Sequence, residues 1–146
     1  MTADCTPPIA EQVALALVRR GDRWLVNRRL APGPLFGLFE FPGGKVQHGE
    51  TPADAARREC LEELAIHVRP IETWAAVTGG DHGKPIHLVP VLCELVVGEP
   101  RPNAPEIGEV RWMTIGGLFT LAMPAPNRSI VAAIAGRFAQ NTPGTA

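Results

Sequence analysis

Val13-Ala14-Leu15-Ala16-Leu17-Val18 runs apolar without a break until Arg19 and Arg20 end it. So short and continuous a run predicts a strand covered on both faces. Gly21-Asp22 suits a two-residue hairpin with glycine first, which makes Trp24-Leu25-Val26 the return strand. Leu30-Ala31-Pro32-Gly33-Pro34 is a loop by its proline and glycine content. Phe39-Glu40-Phe41 alternates as a short strand that runs into a Pro42-Gly43-Gly44 turn. Over residues 52–64 the pattern becomes helical, with Thr51 as N-cap, Pro52 at the first helical position and Asp54 completing a T-x-x-D capping box. Residues 71–78 and 86–97 read as strands on either side of the turn Gly79-Gly80-Asp81-His82-Gly83, and Pro90 marks the second for an edge or a bulge. The proline-bearing stretch 98–108 is a loop, and 109–113 resumes strand character. Ile130, Val131, Ile134 and Phe138 form the stripe of an amphipathic helix over 127–138. Strands and helices interleave without a repeat or linker. That order predicts one α/β (α+β) domain over 11–140, with flexible ends at 1–10 and 141–146.

Composition narrows the function. The 146 residues suffice to bury about two thirds of the unfolded surface, so the fold needs neither disulfide nor structural metal. A net charge of −1 makes the chain a poor binder of duplex nucleic acid, where neutralised phosphates supply most of the affinity. Residues 1–8 have neither the basic nor the apolar region of a secretory signal, and no apolar run approaches the about 18 residues of a membrane helix. Cys5, Cys60 and Cys93 have no zinc or C-x-x-C spacing, which predicts reduced thiols in a cytoplasmic protein. His48, His67, His82 and His87 also lack metal spacing. Trp24, Trp74 and Trp112 are expected in the core.

The chemistry gathers on the helix. With Glu59 at 0° and about 100° per residue, Glu63 falls near 40° and Glu62 near −60°, while Ala53, Ala56, Cys60, Leu61 and Leu64 fill the core side. Glu59 and Glu63 form a like-charge i,i+4 pair, and the acids occupy the end of the helix its dipole disfavours. A solvated face neutralised by Arg57 and Arg58 is one explanation. The other is a hard divalent cation held against a phosphorylated ligand, with a glycine-turn carbonyl as a further oxygen.

The stretch 44–66 resembles the Nudix box, G-x5-E-x7-R-E-U-x-E-E-x-G-U with U a bulky aliphatic residue. Gly44, Glu50, Arg58, Glu59, Glu62, Glu63 and Ile66 fall on the pattern, while Cys60 replaces an aliphatic residue and Ala65 the last glycine. The flanks are similar to the MutT-like branch of that family: the Phe39–Lys45 lead-in, Arg29, Glu106 and the Met123-Pro124-Ala125-Pro126-Asn127 segment. The resemblance implies a Nudix-type α/β/α sandwich with a mixed sheet between helices. It also implies Mg²⁺-dependent, or Mn²⁺-dependent, cleavage of a nucleoside triphosphate to monophosphate and pyrophosphate, with oxidised dGTP a candidate substrate. Glu59 and Glu63 are then the main metal ligands, assisted by Glu62, Glu106 and the Gly43 carbonyl. Arg58 orients a box glutamate, Glu50 supports the site, and Glu59 or Glu106 is the general base. Arg29, Phe41, Lys45 and Asn127 bind substrate, with helix capping the alternative for Asn127 and a surface charge for Arg29 and Lys45. His82 and Lys84 stand in a hairpin loop that could border the pocket. The partner is a small nucleotide, and the expected assembly a monomer or homodimer. Cleavage of ADP-ribose, a nucleotide sugar or another nucleoside diphosphate derivative is the alternative. A Nudix domain that binds without cleaving is a third reading, disfavoured by the intact set of box carboxylates.

Overall fold

The computed structural model describes residues 11–79 and 85–138. The ends at 1–10 and 141–146, Cys5, the turn through 80–84 and its His82 and Lys84 lie outside the described residues. The elements run β1 (Glu11–Arg20), β2 (Arg23–Arg29), β3 (Phe39–Glu40), β4 (Gly43–Lys45), α1 (Pro52–Leu64), β5 (His67–Thr73), β6 (Val77–Gly79), β7 (Ile86–Val97), β8 (Ile107–Met113), α2 (Ile115–Leu118) and α3 (Ala125–Phe138).

The strands form a mixed sheet ordered β3-β2-β1-β7-β5, with β4 on β1, β6 on β7 and β8 on β2. β1 and β7 run parallel through the centre. Both faces are covered, as the apolar run in β1 requires. Ala14, Ala16 and Val18 point to the α1 layer with Ala56, Cys60 and Leu64, while Leu15 and Leu17 point to the α3 layer with Ile130 and Ile134. The result is the predicted α/β/α sandwich. Trp24 and Trp74 are buried on the α3 side, and Trp112 is partly buried against the α1 side.

Several boundaries differ from the sequence reading, each for a tertiary reason. Gly43-Gly44 is not a turn but part of β4, because its backbone lies along β1: Leu15 pairs with Gly43 and Ala14 with Gly44. A Cβ on Gly43 would stand 2.0 Å from the Ala14 carbonyl oxygen. The strand expected over 71–78 begins earlier and breaks in two. Pro70 does not stop β5, since β5 is a sheet edge whose register shifts between Pro70 and Glu72. Pro90 sits in a central strand, against expectation. Its carbonyl accepts from Trp74 N–H at 2.8 Å, so its missing N–H faces the gap between β5 and β6, where no ladder partner is lost. Leu61, placed on the core side by the helical wheel, is 45% exposed. The final helix starts at Ala125 rather than at Asn127, and the four-residue α2 has no periodicity to reveal it. No described helix is long and apolar enough to cross a membrane.

Candidate active site

Helix α1 carries the box carboxylates and is fixed at both ends. Thr51 accepts a hydrogen bond from Asp54 N–H at its start. At its end Ala65 takes the left-handed conformation (φ 57°), and its N–H caps the Cys60 and Leu61 carbonyls. The loop after β7 seals the next turn. Asn103 N–H donates to the Glu63 carbonyl at 2.8 Å, Asn103 Nδ2 to the Glu62 carbonyl and Arg101 N–H to the Leu64 carbonyl. That loop continues to Glu106, whose own carbonyl accepts from Leu30 N–H at 2.7 Å. Glu106 is thereby held between the end of α1 and the end of β2.

Two acids of the α1 arc, Glu59 and Glu63, face β4 rather than open solvent. Glu63 is buried, and its Oε1 accepts from Gly43 N–H at 2.9 Å. The same register turns the Gly43 carbonyl away from β1, toward the edge its N–H uses. Glu59 lies against Gly44, where an added Cβ would come within 2.4 Å of its carboxylate. Glycine at position 44 is therefore a matter of close approach, not of turn geometry.

Arg58 organises the remaining acids. It donates to both oxygens of Glu50 (2.8 and 3.0 Å), to Glu59 (2.9 Å), to Glu62 (3.3 Å) and to the Lys45 carbonyl (3.0 Å). Shared charge-assisted bonds of this kind hold its proton more firmly than usual and lower the Glu50 carboxyl. Burial dominates at Glu59 and Glu63 instead. Glu59 is raised despite Arg58, and Glu63 is pushed up to about 8 by burial, with Glu59, Glu40 and Glu106 adding to it.

Among the described residues no three His, Cys, Asp or Glu side chains converge to hold an ion by themselves. Glu62 turns outward to Arg58 and solvent, so the three box acids do not meet at one point. The donors still suit Mg²⁺ or Mn²⁺, which take one or two carboxylates and complete their shell with water and substrate phosphate oxygens. Glu63 and the Gly43 carbonyl provide hard oxygens at the pocket, and the Glu59 carboxylate stands against the adjacent Gly44.

The pocket measures about 610 Å³. Arg29, Glu40, Glu63 and Glu106 supply charged lining beside the Gly43-Gly44 backbone, and Leu15, Leu88, Phe41 and Pro124, with Asn127, supply a largely apolar lining. Asn127 is buried in the first turn of α3, which excludes the capping role, and its Oδ1 accepts from Phe41 N–H at 3.2 Å. Lys45 also borders the pocket but is exposed and paired with Glu11 at 3.0 Å. Of the expected residues, Arg29, Phe41, Gly43, Lys45, Glu63, Glu106 and Asn127 line this one pocket, whereas Glu50, Arg58, Glu59 and Glu62 do not, Glu59 standing against Gly44 and the other acids around Arg58. Sequence reasoning missed Glu40, which lines the pocket beside Arg29. Its signal was present: a charged residue between Phe39 and Phe41, both buried on the α3 side, must point to the opposite face.

Comparison with known proteins shows the family of the chain. A NUDIX domain signature matches residues 10–134. Over 122 residues the chain is 31% identical to an Escherichia coli 8-oxo-dGTP diphosphatase, covering 83% of this chain and 93% of the relative. It is 36% identical over 77 residues to an Escherichia coli CTP pyrophosphohydrolase, 53% of this chain and 57% of the relative. The crystal structure of a MutT NUDIX hydrolase from Burkholderia pseudomallei superposes with a TM-score of 0.71 at 25% identity, over 84% of this chain and 96% of that one. The acidic helix against its glycine strand and the match across nearly the whole sheet lead to one assignment: the chain belongs to the NUDIX family, as a MutT-like hydrolase of phosphoanhydride bonds.

Proposed function

We propose that the protein hydrolyses a nucleoside triphosphate to a nucleoside monophosphate and pyrophosphate with Mg²⁺ or Mn²⁺, oxidised dGTP being the leading substrate. One observation carries this reading. A single pocket is lined both by Glu63 with the Gly43-Gly44 backbone and by apolar side chains with Asn127. A polyphosphate fits against the carboxylates only with a cation between them, and a planar base fits against the apolar lining. The 8-oxo-dGTP diphosphatase relative supports the choice of substrate.

Glu59, Glu63 and the Gly43 carbonyl would hold the metal, with Glu106 in the same pocket able to contribute and Glu62 able to do so only by leaving Arg58. A bound divalent ion supplies charge neutralisation of the polyphosphate. Glu50 and Arg58 position Glu59 through the bonds described above. Glu106 has no side-chain partner among the described residues, whereas Glu59 gives an oxygen to Arg58, so Glu106 is the freer group to take a proton from water. Asn127 keeps its NH₂ free because Oδ1 is engaged by Phe41, and it donates to a carbonyl on the base. Phe41 forms the wall, while Arg29 and Lys45 face substrate oxygens. Buried free thiols at Cys60 and Cys93 accord with a reducing, cytoplasmic setting.

A substrate panel with products identified by mass tests the proposal: oxidised and normal dGTP, dCTP, ADP-ribose and a nucleotide sugar. Pyrophosphate release from a triphosphate is expected, and Glu59→Gln or Glu63→Gln should lower turnover by about a hundredfold or more. Wild-type turnover in both variants would remove the site assignment. ADP-ribose as the preferred substrate would replace triphosphates with the nucleoside diphosphate class.

A further inference from the structure

An anionic side chain lining a pocket for a polyanion works against binding unless it does something else there. Glu40 is such a group. It lines the pocket with only 19% of its side chain exposed, and it is not on the helix that carries the box acids. Its Oε2 lies 3.4 Å from Arg29 Nη1. The sheet register explains the meeting. Asn27 pairs directly with Glu40, which puts both side chains on one face, and Arg29, two residues further along β2, returns to that face beside them. Asn27 is fully buried, with neither amide atom partnered among the described residues, so the face behind Glu40 is polar rather than packed with carbon. Arg29 itself is 38% exposed, a long side chain with many rotamers at the pocket wall.

We propose that Glu40 is a positioning residue for substrate binding: it holds the Arg29 guanidinium at the pocket wall, aimed at an oxygen of the nucleotide. The assignment rests on the functional reading above, in which Arg29 meets substrate. Fixing the guanidinium before substrate arrives removes its ordering from the cost of association, and the pairing cancels the repulsion Glu40 would otherwise exert. Glu40 touches no reacting atom; its removal also takes a negative charge from the surroundings of Glu63, and coupling to Arg29 is what separates the two effects.

A double-mutant cycle tests this on whichever nucleotide of the panel the wild type turns over fastest. Glu40→Ala and Arg29→Ala should each raise KM about tenfold while kcat changes less than about threefold, and the double variant should be no worse than Arg29→Ala alone. Glu40→Gln keeps the volume and an acceptor, and should give an intermediate rise, so the result stands even if Glu40→Ala folds poorly. Multiplying KM effects in the double variant, or a KM for both Glu40 variants within about twofold of wild type, would overturn the role. A wild type that hydrolyses no nucleotide would instead overturn the functional reading. The cycle is then read as the dissociation constant for dGTP by calorimetry, with the same coupled or additive outcomes deciding Glu40.

Discussion

Glu63 shows what burial does to a carboxyl whose sequence neighbours are also acids. Held against Gly43 N–H and crowded by Glu59, Glu40 and Glu106, it keeps its proton to about pH 8, against an ordinary 4.5. Below the ordinary value the group is protonated whether the chain is folded or not, so it costs nothing. As pH rises from there toward 8, the unfolded chain ionises while the folded one resists, and stability falls. In chelator, the protein should therefore be less stable at about pH 8.5 than at about pH 5.5, by on the order of 1–3 kcal/mol after local relaxation. Glu63→Gln should flatten that slope. Urea midpoints at the two pH values provide the measurement, and an unchanged slope in the variant would place the titration elsewhere.

At the scale of the element, α1 is written almost completely in its own sequence. Thr51, Pro52 and Asp54 set its start, and the structure reproduces the cap. Its end is where the sequence departs from the family pattern, with Ala65 where glycine is usual, and Ala65 is the one described non-glycine residue at positive φ. The capping bonds to Cys60 and Leu61 hold it there at a steric cost a glycine would not incur. Ala65→Gly should raise stability by about 1 kcal/mol with activity retained, measured by thermal or urea unfolding. No gain would mean that the lost backbone freedom of the extra glycine outweighs the relieved strain. The wheel also separated core residues from acids, Leu61 excepted, but it could not say that Glu59 and Glu63 face a neighbouring strand. That depends on β4, which no local periodicity announces.

At the scale of the molecule, the site exists because distant segments meet on one sheet. β4 lies along β1, α1 lies over β4, the loop to Glu106 seals the end of α1, and the start of α3 closes the pocket through Asn127 and Phe41. Gly43 is the joint between strand and helix. A Cβ there would collide with the Ala14 backbone, which cannot move without opening the sheet. Gly43→Ala should cost about 2 kcal/mol or more in urea unfolding and remove hydrolysis with it. A stable, fully active Gly43→Ala protein would show that β4 can leave β1 without disturbing Glu63.

The sequence alone determined what local chemistry can encode. The continuous apolar run of β1 required a doubly covered strand, Thr51 and Pro52 started α1, and the spacing of Glu59, Glu62 and Glu63 put acid on one arc. Tertiary structure decided what depends on neighbours distant along the chain. It made Gly43-Gly44 a strand instead of a turn, let Pro90 into a central strand beside a gap in its partner, and buried Glu63 while leaving Glu62 in solvent. It also paired Glu40 with Arg29, eleven residues apart, across a register that neither residue specifies. Periodicity reports which face a residue occupies. What lies opposite that face is set by chain topology, and burial, close approach and shifted proton affinity follow from it.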